Sequence, residues 1–198
     1  VSDKTFWDTI EVVNKPLMAS HSSSWEICKH PRNMKDDMLK AVATNGGVVC
    51  ANFYPGFVGE ELRIANQNLE NQMWEEIDDL ERMAKRSPSG HFDKSNEFIK
   101  NEAQNIRARY EIVRKDLPLP TLSDVVDHID HMVKVAGIDH VGLGSDFDGI
   151  PEGPVGLEDC TKFPSITEEL MRRGYSDGDI QKIIGLNTMR VMEANIGK

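Results

Sequence analysis

Three short apolar runs divide the sequence, and residues that could take part in chemistry follow each run directly. The runs and the residues after them are Leu17–Ala19 with Ser20 and His21, Val48–Ala51 with Asn52, Phe53 and Tyr54, and Val141–Gly144 with Ser145–Gly149. Short continuous apolar runs between turn residues are typical of strands buried on both faces, as in a parallel sheet. The pattern therefore predicts three parallel strands that end at polar side chains.

Helical periodicity occupies the stretches between these runs. It predicts helices from Asp3 to about Asn14, from Asp36 to Asn45, from Ser123 through Val135 and from about Asn187 to Asn195, with Asp3 and Ser123 as caps. Capping-box patterns at Ser165–Glu168 and Ser176–Asp179 predict two more helices, which end near Gly174 and Gly185. Strands that alternate with helices indicate βαβ units, so we expect an α/β fold.

Residues 60–116 differ from the rest of the chain because they are rich in charge and helical in period. The segment Ser87–Gly90 interrupts this stretch, and the Leu-Pro-Leu-Pro segment at 117–120 ends it. We predict a helical hairpin inserted after the second strand. It either packs on the main domain as a solvated excursion or serves as a lid.

The charge balance narrows the class of partner. The 198 residues, enough for one domain or two small ones, include 23 Lys and Arg against 33 Asp and Glu, a formal net charge of −10. An acidic chain is a poor match for nucleic acid or an anionic membrane, whereas spare carboxylates suit divalent metals. No apolar run reaches the roughly 18–20 residues of a membrane span, so we expect none. A signal peptide is not visible in the segment that starts at Val1. Three cysteines argue against a disulfide framework.

Polar side chains from distant parts of the chain are expected to meet at one edge of the sheet. In parallel α/β folds the catalytic and ligand-binding residues lie where strands end. His21, Asn52 and Asp146 all follow predicted strands. His21 is either a metal ligand or a histidine hydrogen-bonded within a loop. Asp146 could ligate a metal, or orient and deprotonate a metal-bound water. Arg32 could hold a substrate carboxylate in a bidentate pair, or be an ordinary surface arginine.

Other histidines receive structural interpretations. His128 and His131 lie three residues apart in a predicted helix, but their charged neighbours favour a solvent-exposed face over a metal-binding pair. His140, before the third strand, and Asp148, in an Asp-Gly turn pair, are also expected to be structural. The sequence has no Gly-rich phosphate loop, no Gly-x-Ser-x-Gly and no zinc-finger spacing.

The motifs that carry these residues resemble those of the membrane (renal) dipeptidase family, especially its bacterial members. The matching segments are Ser20–Ser23, Pro31–Asn33, Val49–Tyr54, Asp127–His131, Val141–Gly149 and Gly185–Val191. A Gly-x-Gly-x-Asp-Phe-Asp-Gly segment in register with an upstream Ser-His-Ser-Ser is a specific combination. The resemblance covers almost the whole of residues 1–198 as one domain, with the helical insertion at about 60–116.

This resemblance implies a (β/α)8 TIM barrel of amidohydrolase type that uses two zinc ions to hydrolyse dipeptides. The family's zinc ligands are a His-x-Asp on the first strand, a bridging Glu and two further His at later strand ends. By resemblance, His21 is the second of those later His and ligates zinc. Arg32 grips the carboxylate of the substrate. Asp146 is the catalytic aspartate that handles the proton and the substrate amine.

Several of the family's ligands have no counterpart in the chain. The His-x-Asp and the bridging Glu are missing, and the first later His would directly precede Val1. We therefore expect the C-terminal part of a TIM barrel, which alone hydrolyses dipeptides poorly and exposes sheet edges for a complementary half or a second copy. Two alternatives stay open: a metal-free, non-catalytic relative that acts as a binding or interaction module, and another amidohydrolase reaction, on a lactone or a phosphoester.

Overall fold

A small parallel sheet lies at the centre of the computed structural model, which describes residues 2–86 and 96–197. In these two stretches the sheet has three strands in the order β1-β2-β3, namely β1 (Met18–Ala19), β2 (Val48–Ala51) and β3 (Val141–Leu143). Both pairs are parallel, with Met18 opposite Val48 and Val49 opposite Val141. The apolar runs therefore form the parallel strands that the sequence predicts.

Helices connect and cover the strands. In chain order they are α1 (Asp3–Val12), α2 (Asp36–Thr44), α3 (Pro55–Val58), α4 (Glu60–Arg86), α5 (Asn96–Lys115), α6 (Leu122–Ala136), α7 (Phe163–Arg172), α8 (Asp177–Gln181) and α9 (Asn187–Ile196). Short 3₁₀ turns occupy Ile138–His140 and Cys160–Lys162. Because α2 connects β1 to β2 and α6 leads into β3, the fold is of the predicted α/β class.

The pleat of β2 divides its side chains between two apolar clusters. Val49 and Ala51 belong to the main core, whereas Val48 and Cys50 pack with Val191 of α9. The main core also receives the inner faces of α2 and α6, with Leu39, Val42, Val126, Ile129 and Met132 at most 1% exposed. The predicted burial on both faces is confirmed for β2, which is buried along its whole length, and is wrong for β1, where Met18 is 37% exposed.

Two helices are capped by residues other than those that the sequence predicts. The cap of α1 is Ser2 instead of Asp3, and the Ser2 Oγ accepts a backbone N–H of the first turn at 3.2 Å. The cap of α6 is Thr121 instead of Ser123, in a capping box with Asp124. In both cases a hydroxyl group slightly earlier in the chain reaches the unpaired N–H groups of the first turn.

The predicted helix boundaries at Ser165 and Gly185 are wrong. Ser165 lies inside α7, which begins at Phe163 with a proline in its first turn. At Gly185 the chain does not leave the helix, because a π-helical turn at Lys182–Leu186 carries α8 into α9. There the buried Asn187 donates from Nδ2 to two backbone carbonyls, each at 2.8 Å. This tertiary anchor outweighs the tendency of glycine to end a helix.

Residues within 61–118 form a second compact unit. Helices α4 and α5 supply it, and an ion pair between Arg109 and Glu76 joins them. Their apolar contact consists of Ile77, Ala103 and Ile106. The predicted helix break at Ser87–Gly90 lies outside the described residues. Neither this unit nor the rest of the described chain has a helix long and apolar enough to cross a membrane.

Candidate active site

The polar residues that follow β1, β2 and β3 meet at one edge of the sheet. His21 stands two residues beyond β1, Asn52 directly follows β2, and Asp146 stands three residues beyond β3. His21 Nε2 lies 3.7 Å from Asp146 Oδ1, and Asn52 Nδ2 lies 3.2 Å from Asp146 Oδ2. The carboxyl ends of parallel strands thus bring an imidazole, an amide and a carboxyl group together, as the sequence predicts.

A glycine allows the strand ends to approach this closely. Gly144 directly follows β3, and its N–H donates to Ala51 O at 2.9 Å. A Cβ at this position would lie 1.9 Å from Ser20 O, the carbonyl oxygen of the residue before His21. Any side chain here would therefore push the β1 loop, and His21 with it, away from the end of β3.

The backbone of Asp146 has an uncommon conformation. Its φ is +64°, in the left-handed region, where a residue other than glycine is strained. The turn that follows is closed by a hydrogen bond from Gly149 N to Asp146 O at 2.8 Å. A Cβ at Gly149 would come within 2.6 Å of Asp146 Oδ1. Gly149 thus leaves room for the site carboxylate, and the structural role expected of Asp148 stays a prediction.

Asn52 holds the other side of that carboxyl group. The residue is fully buried, and its Oδ1 accepts the N–H of Tyr54 at 2.6 Å. Because Oδ1 is engaged there, Nδ2 faces Asp146 and donates to it. The Asn52 backbone N–H also donates to Ser23 Oγ at 3.2 Å. The sequence placed Asn52 in the shared site but gave it no role, which the structure identifies as orienting a carboxylate.

The imidazole of His21 is oriented by its neighbour. Its Nδ1 lies 2.8 Å from Ser20 Oγ, so Nε2 points toward Asp146. The side chain is 40% exposed and that of Asp146 is 31% exposed, so both reach solvent or a ligand. This arrangement has the orientation that a ligating histidine needs, with one nitrogen held and the other presented.

Arg32 lies on the loop between β1 and α2 and shares a cavity with His21. This cavity has a volume of about 370 Å³. Its apolar lining includes Phe6, Met34 and Met38. The guanidinium carbon of Arg32 lies 5.4 Å from the centroid of the Phe57 ring. A cation beside an apolar cavity can receive an anionic group of a small ligand while the cavity takes its apolar part.

A buried asparagine fixes the loop that carries Arg32. Asn33 is 6% exposed and its Oδ1 accepts the N–H of Ser23 at 3.1 Å. Its Nδ2 donates to Cys28 O at 2.8 Å and to Phe57 O at 2.7 Å. Sequence analysis did not find this role, since nothing in the hydropathy pattern distinguishes Asn33 from an asparagine on an exposed loop.

The prediction that His128 lies on the surface is wrong. The residue is fully buried in α6. Its Nδ1 accepts the N–H of Ser24 at 3.0 Å and its Nε2 donates to Val58 O at 3.0 Å. Because Nδ1 accepts a hydrogen bond, these partners suit the neutral ring, and burial lowers the pKa of His128 in the same direction. The charged neighbours that suggested exposure lie on other faces of the helix, and His128 joins the loop at Ser24 and the end of α3 to the core.

His131 and His140 lie away from His21 and Asp146. His131 Nε2 lies 2.7 Å from Asp36 Oδ1, away from the partners of His128, so the two do not form a metal-binding pair. His140 precedes β3, and its Nδ1 lies 2.9 Å from Gly47 O near the start of β2. It therefore lies at the opposite end of the sheet from His21.

A zinc centre needs more ligands than the described residues bring together. Within residues 2–86 and 96–197, no group of three or more His, Cys, Asp or Glu side chains is placed to hold a metal ion. His21 and Asp146 form a pair 3.7 Å apart, whereas a zinc ion takes about three protein ligands even in a catalytic site. By themselves these residues do not fit the two-zinc centre that the family resemblance implies.

The fold and the site together define a class: an α/β protein whose polar side chains meet at the carboxyl ends of parallel strands. A sequence model of one family, membrane dipeptidase (Peptidase family M19), matches residues 1–196. The chain belongs to this family, as its motifs predict.

Curated relatives of the chain include dipeptidases from fungi. The uncharacterized dipeptidase C965.12 of Schizosaccharomyces pombe is 35% identical over 192 residues, which are 96% of this chain and 33% of that protein. Dipeptidase ataJ of Aspergillus terreus is 33% identical over 192 residues, 97% of this chain and 34% of that protein. The chain spans about a third of the length of the curated relatives it matches. The special likeness to bacterial members stays a prediction.

Solved structures of dipeptidases and metallopeptidases superpose on the α/β fold of this chain. The probable dipeptidase PvdM from Pseudomonas aeruginosa superposes with a TM-score of 0.70 at 26% identity, over 98% of this chain and 48% of that one. A metallopeptidase from Rhodobacter sphaeroides, liganded with a phosphinate mimic of the dipeptide L-Ala-D-Ala, gives a TM-score of 0.63 at 23% identity. That match covers 97% of this chain and 40% of the other.

Proposed function

We propose that this chain forms the C-terminal part of a (β/α)8 barrel that hydrolyses dipeptides. Membership of the dipeptidase family supports the activity. The observation that carries the proposal is the convergence of His21, Asn52 and Asp146 at the carboxyl edge of the sheet, with Arg32 on the same cavity as His21. The helical unit within 61–118 is the insertion in this barrel.

The charges of the site match those of a dipeptide. A free dipeptide carries a carboxylate at one end and an ammonium group at the other. The Arg32 guanidinium group can bind the carboxylate through two parallel N–H···O bonds. The Asp146 carboxylate can bind the ammonium group.

Asp146 also supplies a proton acceptor. Hydrolysis of a peptide bond removes a proton from water and gives one to the departing amine. Asn52 holds Oδ2 of Asp146, so Oδ1, the oxygen that faces His21, is the one placed to take and return the proton. Asp146 is therefore the proposed catalytic residue, and Arg32 the proposed residue for substrate binding.

His21 is our proposal for a zinc ligand. By resemblance to the family, bound zinc would activate the attacking water. His21 presents Nε2 in the required manner. Because the described residues form no group of three ligand side chains, the other zinc ligands have to come from outside those residues.

A second candidate function is a non-catalytic binding module that accepts dipeptides without cleaving them. It is favoured by one observation: the described residues contain no group of three side chains placed to hold a metal. Binding through Arg32 and Asp146 would persist in such a protein, whereas hydrolysis would not.

Calorimetry with the phosphinate mimic of L-Ala-D-Ala tests the proposed binding role. We expect the mimic to bind the chain, and its C-terminal amide to bind at least tenfold more weakly, because charge-assisted bidentate bonds contribute about 1.5–3 kcal/mol. Arg32→Ala should abolish this preference, and Arg82→Ala, at an exposed arginine of α4, should keep it. Equal binding of acid and amide by the unmodified chain would contradict the role of Arg32.

Hydrolysis separates the two candidate functions. The complete barrel, with this chain as its C-terminal part, is assayed on dipeptides, a lactone and a phosphoester with added zinc, and its bound zinc is measured. Dipeptide cleavage with bound zinc supports the enzyme. Binding of the mimic with neither zinc nor cleavage supports the binding module.

A further inference from the structure

Phe57 of α3 lies against Arg32 although the two residues are far apart in the sequence. The Arg32 guanidinium carbon is 5.4 Å from the centroid of the Phe57 ring, inside the roughly 6 Å range of cation–π contacts. A guanidinium group is planar and weakly hydrated, so it stacks readily on an aromatic face. The contact therefore joins the proposed substrate-binding residue to an apolar one.

The ring of Phe57 is held in place from several sides. The residue is 7% exposed. The ring of Tyr54 meets it edge-on with 4.9 Å between centroids, and the ring of His30 lies 4.2 Å away. The Phe57 carbonyl accepts Nδ2 of Asn33, the residue next to Arg32, at 2.7 Å. Phe57 is thus fixed relative to the loop that carries the arginine.

The main chain of Arg32 is fixed as well. Its carbonyl accepts Ser22 Oγ at 2.8 Å, and its N–H donates to His30 Nδ1 at 3.2 Å. Only the long, exposed side chain has conformational freedom to lose when a ligand binds. An aromatic surface beside it restricts that freedom before the ligand arrives, and such preorganisation raises affinity.

We propose that Phe57 is a positioning residue that holds the Arg32 guanidinium group ready for the carboxylate of the substrate. The proposal rests on the proposed function, in which Arg32 binds that carboxylate. A guanidinium group over an aromatic ring can stack with one face of its plane, and its N–H donors then point outward along the edge. Phe57 therefore orients the group and leaves its donors available for a bidentate pair.

Nuclear magnetic resonance on the whole chain, without ligand, tests the contact itself. We expect the Arg32 δ and ε protons to be shifted upfield by the Phe57 ring and to show nuclear Overhauser effects to its protons. Phe57→Leu should remove the upfield shift, and Phe57→Tyr should retain it. Absence of both signals in the unmodified chain would overturn the proposal, and this measurement requires neither a variant nor activity.

Calorimetry of the phosphinate dipeptide mimic then tests the consequence. Phe57→Leu should weaken binding about two- to fivefold, the range for an exposed cation–π contact, and Phe57→Tyr should restore it. In the Arg32→Ala background Phe57→Leu should have no effect. An equal loss in both backgrounds would mean that Phe57 acts only through packing and would overturn the proposal. If Arg32→Ala leaves affinity unchanged while the spectral contact is present, the proposed function fails and the contact stands.

Discussion

Replacing Gly144 with alanine tests whether the close approach of the strand ends builds the site. The new Cβ would lie 1.9 Å from Ser20 O and 3.0 Å from Cys50 Cβ. Since real Cβ contacts below 3.0 Å are essentially never seen, the Ser20 carbonyl has to retreat by about 1 Å, a change typical of an overpacked core. Because His21 is the next residue, the imidazole has to move away from Asp146.

The expected loss of stability follows from this crowding. Overpacking of this kind costs about 1–3 kcal/mol. For a chain of this length each kcal/mol lowers the melting temperature by about 2–4 °C, so Gly144→Ala should melt about 2–12 °C lower. The same variant should bind the phosphinate dipeptide mimic more weakly, because His21 is displaced. Differential scanning calorimetry and titration calorimetry measure the two effects.

Gly185 offers a matched control. No atom lies within 4 Å of a Cβ built there, and the residue belongs to the π-helical turn. Alanine is favoured over glycine in a helix by up to about 1 kcal/mol. Gly185→Ala should therefore melt at the same temperature or slightly higher. If Gly144→Ala and Gly185→Ala melt together and bind alike, the close approach of the strand ends does not build the site.

Three further variants and titrations test other parts of the structure. Asn52→Ala leaves a backbone N–H and a carboxyl oxygen without partners, so urea unfolding should show a loss of about 1–3 kcal/mol; a loss under about 0.5 kcal/mol would contradict its orienting role. Hydrogen bonds from Arg172 and Arg173 lower the pKa of Glu169 from 4.5 to about 2. Ionised Glu169 therefore stabilises the folded chain above pH 4.5, and this contribution is lost as the pH falls toward 2. Glu169→Gln should lower the free energy of unfolding by about 1–2 kcal/mol at pH 7, after solvent screening, and should not change it at pH 2. Burial lowers the pKa of His128 below 6.5, so its contribution to the free energy of unfolding is fully present above pH 6.5 and declines below that pH. A ring that titrates at pH 6.5 in the folded chain would contradict its burial.

The strands and their polar ends could be predicted because two simple rules act together. Short apolar runs such as Val48–Ala51 are readily recognised, and parallel strands present the residues after them at one edge. His21 and Asp146 meet for that reason, although 124 residues separate them in the sequence. The role of Gly144 is a consequence of the same packing.

The features that sequence reasoning missed depend on contacts between distant segments. His128 has charged neighbours, yet Ser24 and Val58, from two distant segments, supply partners for both of its ring nitrogens in the core. Asn33 donates to Phe57 O and Asn52 donates to Asp146 Oδ2, and both partners are distant in the sequence. Gly185 does not end a helix because Asn187 is anchored to residues of another segment. Local patterns do not contain this information.

A crystal structure of the chain with the phosphinate mimic of L-Ala-D-Ala would test directly whether the strand ends and Arg32 form one dipeptide site. We expect the carboxylate of the mimic to lie in hydrogen-bond contact with Arg32. The His21 imidazole and the Asp146 carboxyl group should flank the phosphinate from the same edge of the sheet. A ligand bound elsewhere, or an imidazole and a carboxyl group that face different sides of the sheet, would contradict this expectation.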